Sequence, residues 1–320
     1  MAKTVGSAMI VRKGYSGRFK KTMEMWWKQR YLQFMVIPGL IWMLIFNYVP
    51  MGGIVIAFKK FKITRPISEA PWVGFQYFIE FFQDSNFKDI MVNTLGISML
   101  KLIIGFPIPI IFALLINEIR GNHFKKISQT VSYLPHFLSW VVLGGILTSW
   151  LAKDGVFNDF LVAIRVLKEP VSFLGEPKYF WGLILISDTW KELGWSAIIY
   201  LAAITSIDQQ IYEAATVDGV TKIQKIIYIT VPSITGTIAL MLILQISGLL
   251  NSNFDQILIL KNQINVSRSQ VIDTYVYQVG MTMGKYSYAT AVGLFKSVIA
   301  LLLLLTANTT SKKLLGRTIY

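Results

Sequence analysis

Cysteine is absent from this 320-residue chain, and histidine occurs only twice, as His123 and His136. No disulfide can form and no thiolate metal site can be built. Two histidines also leave a soft-metal centre short of ligands, so no metal and no cofactor are expected on this chain. Without cysteine the redox compartment cannot be read. Charge is scarce as well. Only 15% of residues are charged against 54% apolar, and the mean hydropathy is +0.53. An ordinary soluble domain carries roughly a quarter charged residues. There is no G-x-x-x-x-G-K-[ST] phosphate loop, so the chain cannot hydrolyse ATP alone and is not expected to be an enzyme. No internal repeat and no low-complexity segment stands out.

What is present is long apolar sequence. Several windows exceed about 18 residues with few or no charges, the length that crosses a bilayer as a helix. In lipid only helices or closed barrels satisfy every backbone group, and runs this long read as helices. The fold class is therefore an all-α polytopic membrane protein. Six spans are expected: Leu32–Phe58, Ile90–Ile116, Ile127–Leu151, Phe180–Ala203, Ile226–Leu250 and Ser287–Ala307. The first run is too long for a signal peptide and lacks a small-residue cleavage site, so it reads as retained. Pro38, Pro50, Pro107, Pro109, Pro135 and Pro232 fall in or near spans and predict kinks.

The net charge of +14 would point to nucleic acid in a soluble protein. Here the positive-inside rule accounts for it, and no nucleic-acid partner is expected. With the N-terminus inside, the inner segments 1–31, 117–126, 204–225 and 308–320 hold 16 Lys/Arg against 5 Asp/Glu. The outer loops hold 12 against 10. Both termini should then be cytoplasmic. Trp26, Trp27, Tyr31 and Trp150 lie near span ends and read as interfacial anchors in membrane lipid.

One polar segment lies between the fourth and fifth spans and repays residue-by-residue reading. Ser206-Ile-Asp-Gln209 is a capping-box pattern that predicts a helix from Ile207. Ile207, Ile211 and Ala214/Ala215 then share a face at helical spacing. Asp218-Gly219 ends it, with glycine where a left-handed residue is wanted. Thr221-Lys-Ile-Gln224 is a second capping box, so a helix restarts near Lys222 and climbs past Pro232. A short helix at about 207–219 should lie along the cytoplasmic surface. Ala214 and Ala215 are small enough for close docking. Glu213 and Asp218 would gain little at an acidic membrane surface and suit a basic protein groove.

The spacing of Glu213-Ala-Ala-Thr-Val-Asp-Gly219 to Ile229-Thr-Val-Pro232 resembles the EAA signature of the integral-membrane subunits of bacterial ABC importers. Val231 stands where that family usually has Leu. Asn93-Thr94-Leu95, Tyr133 to Trp140, Gly155 to Asn158, Thr189 to Trp195 and Ala289 to Leu294 extend the resemblance. Together they resemble the LplB-like permeases of oligo- and polysaccharide importers, of the alginate and maltose kind, related to the larger MalF-type subunit. The resemblance covers nearly the whole chain from about residue 30. It implies a type I ABC importer permease fold in the bacterial cytoplasmic membrane. The layout is a basic tail at 1–31, a first span and outer loop at 32–88, a transmembrane core at 89–309 and a tail at 310–320. The short helix would be the coupling helix, with Glu213, Ala214, Ala215, Asp218 and Gly219 meeting a cytoplasmic ATPase. Gly219 would be its flexible turn. The implied partners are a second, MalG-like permease, two ATPase subunits that hold ATP and magnesium, an extracytoplasmic solute-binding protein and a carbohydrate substrate.

Charges also fall inside the expected spans: Lys101, Asp188, Lys191, Glu192 and Lys296. A charge at the bilayer centre costs roughly 2.5–3.5 kcal/mol on insertion scales, so each should face the bundle interior or a cavity. Asp188 and Glu192 are four apart and share a helix face. With Trp190 and Trp195 they are expected to border a translocation path, because sugars offer C–H faces to aromatics and hydroxyls to carboxylates. Asn251 and Asn253 are placed with them at the outer mouth. Lys101 and Lys296 read equally well as neutralising partners, Asn251 and Asn253 as turn residues, and His136 as a satisfied packing group. An ABC importer permease for a non-sugar solute and an ion-coupled secondary transporter are the alternatives. The latter leaves the EAA segment unexplained, and no inverted repeat is visible. A membrane-embedded enzyme would need a dense polar constellation at one membrane face, which the sequence lacks.

Overall fold

The structure, a computed structural model, describes residues 27–315, with side chains described through residue 309. The basic start of the chain, with Trp26, and the last five residues lie outside the described residues. The described chain is helical, and its only strand-like pairing is an isolated bridge between Lys59 and Trp72. It divides into two compact units, one ending at Val55 and one beginning at Ile56.

The first unit consists of most of helix α1 (Arg30–Phe58). At about 1.5 Å per residue, its 29 residues exceed the roughly 30 Å of a hydrocarbon core. Pro38 lies inside it. A wider π-turn at Leu44–Tyr48 precedes Pro50, where the helix lacks a backbone donor. Trp27 and Tyr31 are exposed, as anchors at an interface require.

The second unit contains α2 (Gln76–Gln83), α3 (Phe87–Asn117), α4 (Asn122–Phe137), α5 (Trp140–Trp150), α6 (Val156–Ala163) and α7 (Phe180–Thr205). Then come α8 (Gln209–Val217), α9 (Lys222–Ser247), α10 (Phe254–Leu260), α11 (Ile272–Tyr277) and α12 (Tyr286–Leu315). Among the described residues, α1, α3, α9 and α12 are long and apolar enough to cross a membrane. The expected single span 127–151 is instead α4 plus α5, bent by 98°. Pro135 sits in a 3-10 turn at Leu134–Phe137, and Ser139 is extended with ψ 150. Ser139 then caps α5 by accepting from Val142 N at 3.3 Å. Two local signals thus end one helix and start another. Helix α7 has 26 residues, enough to cross, but Asp188, Lys191 and Glu192 interrupt its apolar run.

Apolar packing holds these helices in three clusters. Ala113 and Ile116 of α3 meet Ala197, Tyr200, Leu201 and Ile204 of α7 and Ile234 of α9. Ile97 of α3 and Ile184 of α7 pack with Ile257 and Leu260 of α10. Phe81 and Ile90 join Ile272, Tyr275, Tyr288 and Val292 near α2. Between helices in lipid there is little hydrophobic drive, so close fit and polar bonds carry the association. Gly194 of α7 shows this: a Cβ there would lie 2.3 Å from the Ser132 carbonyl oxygen of α4. Only glycine permits that approach.

Buried polar side chains make the complementary bonds. Asn93 Nδ2 donates to the Ser267 and Gln270 carbonyls at 3.0 and 3.1 Å. Thr94 Oγ1 accepts from Ile272 N at 3.0 Å. Asn158, fully buried, donates to Ala152 O and Val171 O and accepts from Val171 N. Asp84, between α2 and α3, accepts from the hydroxyls of Tyr275 and Tyr288. Burial pushes its carboxyl up, but bonds from Tyr275, Asn86 and Tyr288 outweigh that and hold it below its ordinary 3.8.

Candidate functional site: an acidic helix and a polar cleft

Helix α8 carries the EAA residues. It starts two residues later than the sequence pattern predicts. Helix α7 runs on to Thr205, and Ser206 Oγ donates back to Ala203 O at 2.7 Å. The N-cap is therefore Asp208, not Ser206, and its side chain accepts from Gln210 N at 3.0 Å. The far end matches expectation. Gly219 has φ +72, its N–H bonds Thr216 O at 3.1 Å, and Val220 N bonds Ala215 O at 3.0 Å. That is a Schellman closure. The capping box at Thr221 and Gln224 is also formed.

The predicted apolar face splits. Ala215 is buried and Ile207 half-buried, whereas Glu213, Ala214 and Asp218 are exposed. Ile211 and Val217 also face outward, Val217 at 89% exposure. One edge of α8 is thus seated on its own chain, and the opposite edge presents Glu213 with Ala214 and Val217; Ile211 flanks Ala215, about 200° of rotation from Glu213. Helix α8 is tied to the foot of α9. Tyr212 OH lies 2.8 Å from Thr230 Oγ1, and Lys225 Nζ donates to Thr216 Oγ1 at 2.6 Å. A π-turn at Ile226–Thr230 leads into Pro232, and Ser233 Oγ donates to Ile229 O at 2.6 Å.

The second site is a cleft of about 560 Å³ between α3, α7 and α9. Asp188, Glu192 and Trp195 recur along one face of α7 at i, i+4 and i+7, and all three line it. Lys101 and Gln245 line it from α3 and α9. Lys101 Nζ lies 3.0 Å from Asp188 Oδ2, with side chains only 12% and 19% exposed. A π-turn at Lys101–Gly105 carries this lysine. Asn253, whose backbone is left-handed at φ 52, donates from Nδ2 to Asp188 Oδ1 at 2.9 Å.

Two expected pathway residues lie elsewhere. Trp190 is two residues, about 200° of helix rotation, from Asp188. It is half-exposed and does not line the cleft. Asn251 instead accepts from Lys296 Nζ at 2.9 Å, and Lys296 pairs with Asp273 at 2.5 Å. The neutralising reading of Lys101 and Lys296 thus finds a partner for each, one of them outside the expected spans. Sequence reasoning assigns His136 only a packing role and does not single out Gln256 or Asp273. His136 Nδ1 lies 2.7 Å from Glu192 Oε2. Gln256 Nε2 donates to Ile184 O and Ser187 Oγ, both at 2.9 Å. No local spacing announces these residues, because their partners sit on other helices.

Residues 105–315 match the family described as binding-protein-dependent transport system inner membrane component. The chain is 42% identical over 287 residues to Protein LplB of Bacillus subtilis (strain 168), covering 89% of this chain and 90% of that protein. It is equally similar, 42% over 287 residues, to the polygalacturonan/rhamnogalacturonan transport system permease protein YteP of the same organism, covering 89% of each. A crystal structure of a bacterial ABC transporter involved in the import of the acidic polysaccharide alginate superposes with a TM-score of 0.84 at 39% identity. That match covers 92% of this chain and 99% of the other. The bacterial alginate ABC transporter in complex with an alginate pentasaccharide-bound periplasmic protein gives 0.84 at 38% identity, covering 92% and 98%. The chain therefore belongs to the family of inner membrane components of binding-protein-dependent transport systems, as the permease subunit of an ABC importer.

Proposed function

We propose that this chain forms half of the translocation path for an oligosaccharide or polysaccharide fragment and receives its driving motion through α8. It spans the bacterial cytoplasmic membrane six times, with α4 plus α5 as a broken span and α7 as a charged one, and both termini cytoplasmic. A MalG-like permease supplies the other half of the path. Two cytoplasmic ATPase subunits hold ATP and magnesium, and an extracytoplasmic binding protein delivers the sugar.

The observation that carries this reading is the outward edge of α8. Glu213 stands exposed beside Val217 and Ala214 on a helix that is bonded to the foot of α9. A groove on the ATPase with a basic residue would cover that edge. The Gly219 turn, expected to be flexible, is instead closed by caps on both sides, so the push on α8 passes to α9 as a lever rather than through a loose joint. The cleft supplies the cargo chemistry. Trp195 offers a ring face, and Asp188 and Glu192 with Asn253 beside them offer acceptors and donors for hydroxyls. The carbohydrate named for the YteP relative and the alginate transporter agrees with that chemistry. The test is Glu213→Ala in the assembled importer. Membrane insertion should persist while ATP-dependent uptake falls, and normal uptake would sink the docking role.

A further inference from the structure

We infer that His136 is a positioning residue for transport, holding Trp195 as a preset stacking platform for a pyranose ring in the cleft. This rests on the reading of the cleft as a sugar path. A histidine that merely filled space would need one neighbour of suitable shape. His136 has a closed circuit instead. Its Nδ1 lies 2.7 Å from Glu192 Oε2, so this nitrogen carries the hydrogen that the carboxylate accepts. The other carboxylate oxygen, Oε1, accepts from Lys191 Nζ at 3.2 Å. The same ammonium donates to the His136 carbonyl at 2.7 Å and is almost fully buried. Backbone and ring of His136 are thereby both fixed.

The fixed ring then sets the indole. The His136 and Trp195 rings are parallel, with centroids 4.4 Å apart and planes 1° from each other. Phe137 meets Trp195 edge-on at 6.1 Å. Both residues come from the break between α4 and α5, and Gly194 lets that break approach α7 closely enough to reach. Trp195 is nonetheless 47% exposed and lines the cleft. Its indole is backed on one face and accessible from the cleft. A ring held this way does not lose side-chain freedom when a ligand stacks on it, so less of the stacking energy is spent on ordering. Glu192, held between His136 and Lys191, keeps further lone pairs for a hydroxyl beside the platform. The ligand class is a saccharide that offers an apolar C–H face to the indole and an equatorial hydroxyl to Glu192.

The experiment uses the complete importer in liposomes with saturating binding protein. The probes are labelled pentasaccharides of alginate, polygalacturonan and cellulose, and the one that the wild type imports best is carried forward. Two quantities are read: sugar imported per ATP hydrolysed, and ATP hydrolysis stimulated by the loaded binding protein. Trp195→Ala and His136→Ala should each lower import per ATP roughly two- to tenfold, the scale of one ring–ring contact. Stimulated hydrolysis should fall by less than import does, whereas a general folding defect would lower both together. His136→Phe, which keeps a stacking ring, should recover at least half of the lost ratio. If His136→Ala does not assemble, His136→Phe against His136→Asn decides, since only the first keeps the ring. A wild-type ratio in His136→Ala with a lowered one in Trp195→Ala overturns the positioning role. His136→Phe as poor as His136→Ala, or no better than His136→Asn, overturns it too. A wild-type ratio in Trp195→Ala removes the path reading beneath it, and no uptake of any probe by the wild type removes the carbohydrate reading.

Discussion

The acidic helix and the polar cleft are built by opposite means. Almost every bond that shapes α8 joins residues fewer than about twenty positions apart: the Asp208 cap, the Schellman closure at Gly219, the Thr221 box and the Tyr212–Thr230 bond. The cleft is closed by bonds between distant parts of the chain, Lys101 to Asp188, His136 to Glu192 and Asn253 to Asp188. A docking element, the role proposed for α8, has to keep its shape while its partner moves it, and local caps give that. A path, the role proposed for the cleft, has to change access, and contacts between separate helices can be remade as helices shift. The comparison predicts that damage to the cleft spreads through helix packing, whereas damage to α8 stays local and shows in coupling.

The largest effect should come from breaking the Lys101–Asp188 pair. Removing one partner of a buried pair leaves an uncompensated charge and costs about 3–5 kcal/mol, less where the cleft admits water. Lys101→Ala should therefore lower the thermal midpoint of the detergent-solubilised complex by several degrees, and Lys101→Ala with Asp188→Ala together should recover part of it. A double-variant loss equal to the sum of the Lys101→Ala and Asp188→Ala losses would show that the two charges are not coupled.

A smaller, local effect is expected at Gly219. An alanine there must hold φ near +72, in the left-handed region, at a cost of about 1–2 kcal/mol. Gly219→Ala should lower the midpoint clearly less than Lys101→Ala does, but reduce ATP-driven uptake. A fall in stability as large as that of Lys101→Ala would erase the contrast between the two regions.

What was legible in the sequence follows the same division. The apolar runs gave α1, α3, α9 and α12, and the caps and glycine gave α8, displaced by two residues because α7 used Ser206 as its own end. Helical spacing put Asp188 and Glu192 on one face, and Trp195 was named beside them for its chemistry. Trp190 was named by the same chemistry, but rotation about the helix places it off the face that lines the cleft. The partners of these residues were not legible. His136 is 56 residues from Glu192, and no periodicity connects two helices whose approach depends on Gly194 meeting Ser132. The 98° break was half legible, since Pro135 marked it without giving its angle.

The smallest effect concerns pH at Asp84, which joins α2 to α11 and α12. Its carboxyl is held below 3.8 in the folded protein, so the folded state binds its proton less readily than the unfolded chain. The stabilisation is present above about pH 4 and is lost as pH falls through the lowered folded value. Asp84→Asn should flatten the acid limb of the midpoint-versus-pH curve. An unchanged curve would show that Tyr275 and Tyr288 do not act through this charge.

The most direct measurement of the central claim is the affinity of the purified ATPase subunits for the membrane pair, with wild-type Glu213 and with Glu213→Ala, alongside the thermal midpoint of the membrane pair. Weaker ATPase binding and lost uptake are expected in the variant, with the midpoint unmoved. Wild-type affinity together with wild-type uptake would contradict it.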